Sequence, residues 1–152
     1  MGRISQPQIL VVHGPNLNLL GFREPNLYGN TPLEKLNEEI EERARRLEVT
    51  VKTFQSNHEG ALIDCIHENR RWADGVIINA GGLTHTSVAL RDALTAIRRP
   101  IIEVHISNIH AREEFRRHSL ISDIVQGHIA GLGTYGYLLA LEGMKRIVEE
   151  PI

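Results

Sequence analysis

Residues 75–87 read GVIINAGGLTHTS. The run 75–79 (GVIIN) is nearly continuous and β-branched, and it ends at Asn79, just ahead of a glycine pair. A run of that kind suits a strand buried on both faces of a parallel sheet. The pattern recurs at 9–13 (ILVVH) and 101–106 (IIEVHI), and further short apolar runs stand at 49–54 (VTVKTF) and, more weakly, at 123–130 (DIVQGHIA). Longer amphipathic stretches separate these runs. Thr31-Pro32-Leu33-Glu34 has the form of a capping box with proline at the first helical position. Leu33, Leu36, Ile40, Ala44 and Leu47 follow at helical spacing. Ser56-Asn57-His58-Glu59 forms a second such box, ahead of Leu62, Ile63 and Ile66. Further helices are predicted over 84–98 and 135–149.

Strand and helix thus alternate about five times along 152 residues. That predicts an α/β, doubly wound, five-stranded parallel sheet with right-handed crossovers and the flavodoxin-like strand order 2-1-3-4-5. The whole chain, 1–152, is expected to form a single domain, with about 1–8 and 150–152 flexible.

Composition narrows the function. The apolar fraction of 41% and charged fraction of 24% are globular values that exclude disorder, collagen and coiled coil. A net charge of -2 supplies no basic field for nucleic acid. The single cysteine, Cys65, excludes an internal disulfide framework and a CxxC site. No apolar run approaches the roughly 20 residues of a membrane span, and MGRISQPQ lacks a signal-peptide core. A cytoplasmic protein without membrane contact is expected. Aromatic content of 5% argues against stacking platforms for bases or sugars.

The predicted strand order makes strands 1, 3 and 4 neighbours. Ligands of such sheets bind beyond the strands' carboxyl ends, so the residues after 13, 79 and 104 matter most. After strand 1 comes HGPNLNLLGFREPNLYGN (13–30), carrying Asn16, Asn18, Arg23 and Tyr28 among glycines and prolines. It reads either as a polar surface loop or as a mobile lid, and its length and position favour the lid. After strand 3, Asn79 offers an amide, the glycines allow close backbone approach, and a helix N-terminus follows; His85 either faces a ligand there or is merely exposed beside capping threonines. On strand 4, Glu103 and His105 stand two apart and share a face. They form either a structural pair or a carboxylate-oriented general acid. Arg112 and Arg116, one helical turn apart, are surface charge or binders of an anionic or polyhydroxy ligand.

Other motifs lack their context. Gly131-Leu132-Gly133-Thr134-Tyr135-Gly136 matches GxGxxG, but no acidic strand end follows it, so it reads as a tight turn with close packing. His67-Glu68 opens like HExxH without the second histidine, and the eight histidines show no metal-ligand spacing, so no metal is expected. Lys35, Lys52 and Lys145 fall away from the three strand ends, which argues against Schiff-base chemistry.

Four segments, GPNLNLLGFREPNLYG (14–29), QSNHEG (55–60), NAGGLTHTSVALRDAL (79–94) and EVHISNIHAREEFRRHS (103–119), together resemble the type II 3-dehydroquinate dehydratases. The resemblance spans nearly the whole chain. It implies dehydration of 3-dehydroquinate to 3-dehydroshikimate through an enolate, without metal or organic cofactor, in a homododecamer built as a tetramer of trimers. By resemblance Tyr28 is the base, Arg23 the lid arginine that activates it, and Asn16 the holder of a water against the enolate. His105 matches the acid that protonates the departing C1 hydroxyl, with Glu103 its partner. Asn79, His85 and Arg116 match groups that bind substrate hydroxyls, and the amides of Ile106 and Ser107 those that bind its carboxylate. Asp92 matches an aspartate reaching a neighbouring subunit's site, and Arg112 a further arginine near the site. The chain departs from the family's common Asn-Pro-Gly-Ala in reading Asn79-Ala80-Gly81-Gly82, which loosens that turn but keeps Asn79.

Ionising a tyrosine at pH 7 costs about 4 kcal/mol, from an ordinary pKa near 10. One arginine about 4 Å away returns on the order of 4 kcal/mol at an effective dielectric of 20, less what desolvation takes back. A second positive or hydrogen-bonding group would therefore help. The alternative reading is a non-catalytic flavodoxin-like module for FMN or a small anion; the few aromatics argue against flavin stacking.

Overall fold

The computed structural model describes residues 5–150. Five parallel strands, β1 (Gln8–His13), β2 (Thr50–Gln55), β3 (Gly75–Asn79), β4 (Ile101–His105) and β5 (Gly127–Ala130), lie in the order β2-β1-β3-β4-β5. This is the expected topology. Every residue of β3 and β4 is buried, whereas the edge strands β2 and β5 are partly open. Alternate side chains of the central strands feed two cores, as the two-residue strand period requires. Ile9, Val11, Ile77, Ile102 and Val104 face one core, where α2 (Leu33–Leu47) brings Leu36, Ile40 and Ala44 and α5 (Tyr135–Glu149) brings Tyr137, Ala140, Leu141 and Met144. Leu10, Val12, Val76, Ile78 and Ile101 face the other, covered by Leu62 and Ile66 of α3 (Glu59–Glu68) and Leu90 and Leu94 of α4 (Val88–Ala96). Each buried Leu or Ile contributes about 1.5–3 kcal/mol of transfer free energy.

Helix starts differ from the sequence expectations. Thr31 does not cap α2; Pro32 occupies that place in an extended conformation and no side chain caps it. Ser56 accepts from the His58 N–H at 2.9 Å and so shapes the turn before α3 rather than capping it. The expected helix over 84–98 begins only at Val88. Gly81–His85 wind as a 3-10 turn, and Ser87, extended, restarts the chain as an N-cap that accepts from the Leu90 N–H at 2.9 Å. Its hydroxyl donates to the Glu59 carboxylate at 2.6 Å, tying the α3 and α4 N-termini together.

The expectation of flexible ends lies, for 1–4 and 151–152, outside the described residues. Within them Pro7 is buried, its carbonyl accepts from the Thr50 N–H at 2.8 Å, and Gln8 already pairs in the sheet.

The loops beyond β1 and β3 are joined backbone to backbone. The Gly14 N–H donates to the Asn79 carbonyl at 2.7 Å, and a Cβ on Gly14 would stand 2.5 Å from the Ala80 carbonyl carbon and oxygen. Gly81, at φ +59°, brings its backbone against the Pro15 carbonyl. Glycine is required at both positions, by space at the first and by conformation at the second.

Candidate active site

A cavity of about 140 Å³ opens beyond the carboxyl ends of β1, β3 and β4. A wider depression of about 540 Å³ lies over the charged face of α2 between Lys35 and Arg46, but it gathers surface ion pairs rather than converging buried polar groups. The smaller cavity takes Asn16, Arg23 and Tyr28 from the loop after β1, and Asn79 and His85 from β3 and the turn after it. From β4 and the segment following it come His105, Ile106, Ser107, Arg112 and Arg116. Of the residues singled out in the sequence, Glu103 lies behind His105 and Asp92 is exposed on α4, off this cavity.

The loop after β1 is not structureless. Leu17–Leu19 form a 3-10 turn, and Pro25–Tyr28 form one helical turn, α1, with proline leading it. Asn16 precedes the first at φ 71°, a left-handed conformation that asparagine tolerates, and its N–H donates to Asn57 Oδ1 at 2.9 Å. Tyr28, half-buried at the end of α1, meets two guanidinium groups. Arg112 donates to its hydroxyl at 2.8 Å, and Arg23 lies over its ring, 4.8 Å from the centroid. Arg112 also reaches the Ser107 hydroxyl at 3.4 Å. Arg112 thus places a second guanidinium at Tyr28, beside Arg23, and it is the one hydrogen-bonded to the oxygen.

Glu103 and His105 share a face of β4, and His105 Nε2 lies 2.5 Å from Glu103 Oε2. Glu103 is fully buried, yet Ser119 donates to Oε2 at 2.8 Å and Ser122 to Oε1 at 2.7 Å. Burial pushes its carboxyl upward, but the hydrogen bonds from His105, Ser122 and Ser119 and the charge of the imidazole outweigh it and hold it below the usual glutamate value. A satisfied carboxylate thus orients a nearly buried imidazole at the cavity wall.

Asn79 Oδ1 accepts from the Gly81 N–H at 3.1 Å, which braces the turn where the family's proline is missing. His85 Nδ1 lies 2.8 Å from the His118 carbonyl, which can only accept, so Nδ1 carries the hydrogen. Arg116 is held by Glu113 at 2.5 Å. The Ile106 carbonyl accepts from the Gly133 N–H and the His105 carbonyl from that of Gly131. Gly136 packs against Ile129 and Val104. The glycine-rich segment is a turn with close packing, as read from the sequence.

Sequence reasoning missed several neighbours. His128 is the cross-strand partner of Glu103, and its Nε2 lies 3.7 Å from Glu103 Oε2. Glu103, His105 and His128 bring metal-capable atoms within 4.8 Å of one another, a grouping that linear spacing could not reveal. The carboxylate in that trio is already engaged by His105, Ser119 and Ser122. Burial lowers the His128 pKa, with Glu103 opposing and the His105 and His110 rings assisting. His13, at the end of the run 9–13, and Tyr137, within the helix predicted over 135–149, also lie behind Asn79, and nothing in the sequence singles them out. Among the described residues no helix is long and apolar enough to cross a membrane.

A family model described as dehydroquinase class II matches residues 7–145. The chain is 58% identical over 143 residues to the 3-dehydroquinate dehydratase of Halothermothrix orenii, covering 94% of this chain and 97% of that protein. It is 57% identical over 136 residues to the catabolic 3-dehydroquinase 2 of Neosartorya fischeri, covering 90% and 91%. The crystal structure of type II dehydroquinase from Butyrivibrio crossotus superposes with a TM-score of 0.90 at 46% identity, over 92% of this chain and 98% of that one.

Proposed function

The chain belongs to the class II dehydroquinase family, and from that premise we propose that it dehydrates 3-dehydroquinate to 3-dehydroshikimate through an enolate. The observation that carries the reading at this site is the convergence on one cavity of Tyr28 under two arginines and His105 backed by Glu103. The relatives' names favour this over a non-catalytic binding module.

Tyr28, as phenolate, removes a proton from C2, beside the C3 ketone; the C–H electrons pass into the enolate. Arg112 at the oxygen and Arg23 over the ring provide the charge that makes a phenolate affordable at neutral pH. Asn16 holds a water against the enolate oxygen, stabilising charge where it develops. The enolate then collapses, the C1–O bond breaks, and His105 gives its proton to the departing oxygen, which leaves as water. Tyr28 returns its proton to solvent and His105 takes one back, so the net loss is one water. Asn79, His85 and Arg116 bind the substrate's hydroxyls, and the Ile106 and Ser107 amides its carboxylate.

The same proposal includes a homododecamer, a tetramer of trimers, in which Asp92 completes a neighbour's site; its exposure on α4 supports that role. A cytoplasmic location belongs to it as well. Light scattering tests the assembly. The reaction is tested by adding 3-dehydroquinate and following the ultraviolet absorbance of the conjugated enone. A steady rise proportional to enzyme is expected, and a flat trace at micromolar enzyme overturns the reading.

A further inference from the structure

His13 ends β1 and Asn79 ends β3, and the two are register partners, so their side chains lie side by side on one face of the sheet. Tyr137, in the first turn of α5, covers that face, with its ring centroid 5.2 Å from that of His13. All three are buried: His13 fully, Tyr137 at 1% and Asn79 at 4% exposure. His13 Nδ1 lies 3.0 Å from the Tyr137 hydroxyl and Nε2 lies 2.9 Å from Asn37 Oδ1. The Asn79 side chain acts on the same Tyr137 hydroxyl, opposing the upward push of burial on its pKa. No step of the reaction uses His13 or Tyr137.

The hydrogens of this group can be ordered. Burial pushes His13 down to about 4, only partly opposed by the Asn37 hydrogen bond, so the ring is neutral and carries one hydrogen. Asn37 Oδ1 has none to give, so the hydrogen sits on Nε2. Nδ1 must then accept, and the Tyr137 hydroxyl donates to it. The Tyr137 oxygen is left as an acceptor, so the Asn79 nitrogen must face it. That agrees with the other end of the amide, where Oδ1 accepts from the Gly81 N–H at 3.1 Å. The reverse order would turn the Asn79 nitrogen toward the Gly81 N–H, two donors face to face. One Nδ2 hydrogen goes to Tyr137, and the other is left for the cavity that Asn79 lines.

We propose that His13, acting through Tyr137, is a positioning residue that fixes the Asn79 amide so that it presents an N–H, not an oxygen, to the bound substrate. What Asn79 binds rests on the dehydroquinase reading; the order of the hydrogens does not. Asn37 from α2, Tyr137 from α5, and the cross-strand neighbours Gln55 on β2 and Asn79 on β3 surround His13, and none of them carries a charge at neutral pH.

Nitrogen-15 NMR of the full-length protein labelled at histidine reads the tautomer directly. An uncharged His13 protonated at Nε2 from pH 5.5 to 8 is expected; an Nδ1–H tautomer or a charged ring overturns the proposal. Tyr137→Phe should raise KM for 3-dehydroquinate about tenfold, with a much smaller fall in kcat. Asn37→Asp supplies a carboxylate that charges His13, puts a hydrogen on Nδ1 and reverses the order. In that variant KM should climb as pH falls through the raised His13 pKa and return toward the wild-type value at high pH. A pH-independent KM offset in Asn37→Asp, with His13 charged by NMR, would mean a packing role and overturn the proposal. If the wild type fails to turn over 3-dehydroquinate, the functional reading falls alone, and the tautomer measurement still decides the order of the hydrogens.

Discussion

Arg112 donates to the Tyr28 hydroxyl at 2.8 Å across 84 positions of sequence. The contact joins the loop after β1 to the segment after β4, so base and activating charge come together only when both loops are in place. Arg23, on Tyr28's own loop, adds its charge over the ring at 4.8 Å. Hydrogen bonds to charged groups are worth about 1.5–3 kcal/mol. Arg112→Gln should therefore lower kcat by about 10- to 100-fold, and Arg23→Gln by a comparable factor, in steady-state assays of enone formation. Near-normal kcat in Arg112→Gln would remove it from the activation of Tyr28.

The Glu103–His105 pair serves the second half of the reaction, so its loss should separate two events. His105→Ala should stall after enolate formation, leaving exchange of the substrate's C2 hydrogen with deuterated solvent faster than net dehydration. Loss of exchange and dehydration together would count against His105 as the acid. The pair also affects stability. A carboxyl held below its ordinary value binds fewer protons folded than unfolded. Its contribution is present above the unfolded glutamate range and disappears as pH falls through the folded value. Glu103→Gln should flatten the acid side of the stability profile.

His13 adds to acid sensitivity through the opposite charge. Folded, it stays neutral down to about pH 4, while an unfolded histidine takes a proton near 6.5. Between those values the unfolded state binds more protons, so stability falls as pH drops from 6.5 toward 4 and is unaffected by this group above 7. The loss amounts to about 3 kcal/mol at pH 4. Denaturant unfolding at pH 7 and pH 4.5 should show it, and His13→Gln should shrink the difference. An unchanged difference would contradict a neutral buried His13.

Thr84 is fully buried, and its hydroxyl has no hydrogen-bond partner among the described residues. Thr84→Val keeps the shape and removes the unsatisfied group, whose burial costs about 1–3 kcal/mol. Tm should rise by about 2–4 °C or more. A lower Tm would show that the hydroxyl is satisfied by a group such as a bound water.

The strands were legible because burial on both faces leaves an unbroken signature: 75–79 was read to the residue, as was α5 over 135–149. Helix starts were less so. Gly81 and Gly82 favour a 3-10 turn over an early α-helix, and the start passes to Ser87, whose role depends on Glu59 from another helix. Most of the cavity was visible at three strand ends, since topology alone brings them together. The contacts that complete it were not. Arg112 reaches Tyr28 between two irregular segments without periodicity, and His128 meets Glu103 through edge-strand register. His13 hid in the apolar run ILVVH, because a buried neutral histidine leaves the same pattern as a core residue.

In this mechanism Tyr28 begins the dehydration of 3-dehydroquinate. Enone absorbance measured side by side for the wild type and Tyr28→Phe, with substrate binding followed by calorimetry, tests it most directly. Steady turnover by the wild type is expected, with loss of at least about 1,000-fold in kcat in the variant, the upper part of a general-base contribution, and binding mostly retained. A variant that binds substrate and forms enone at close to the wild-type rate would contradict it.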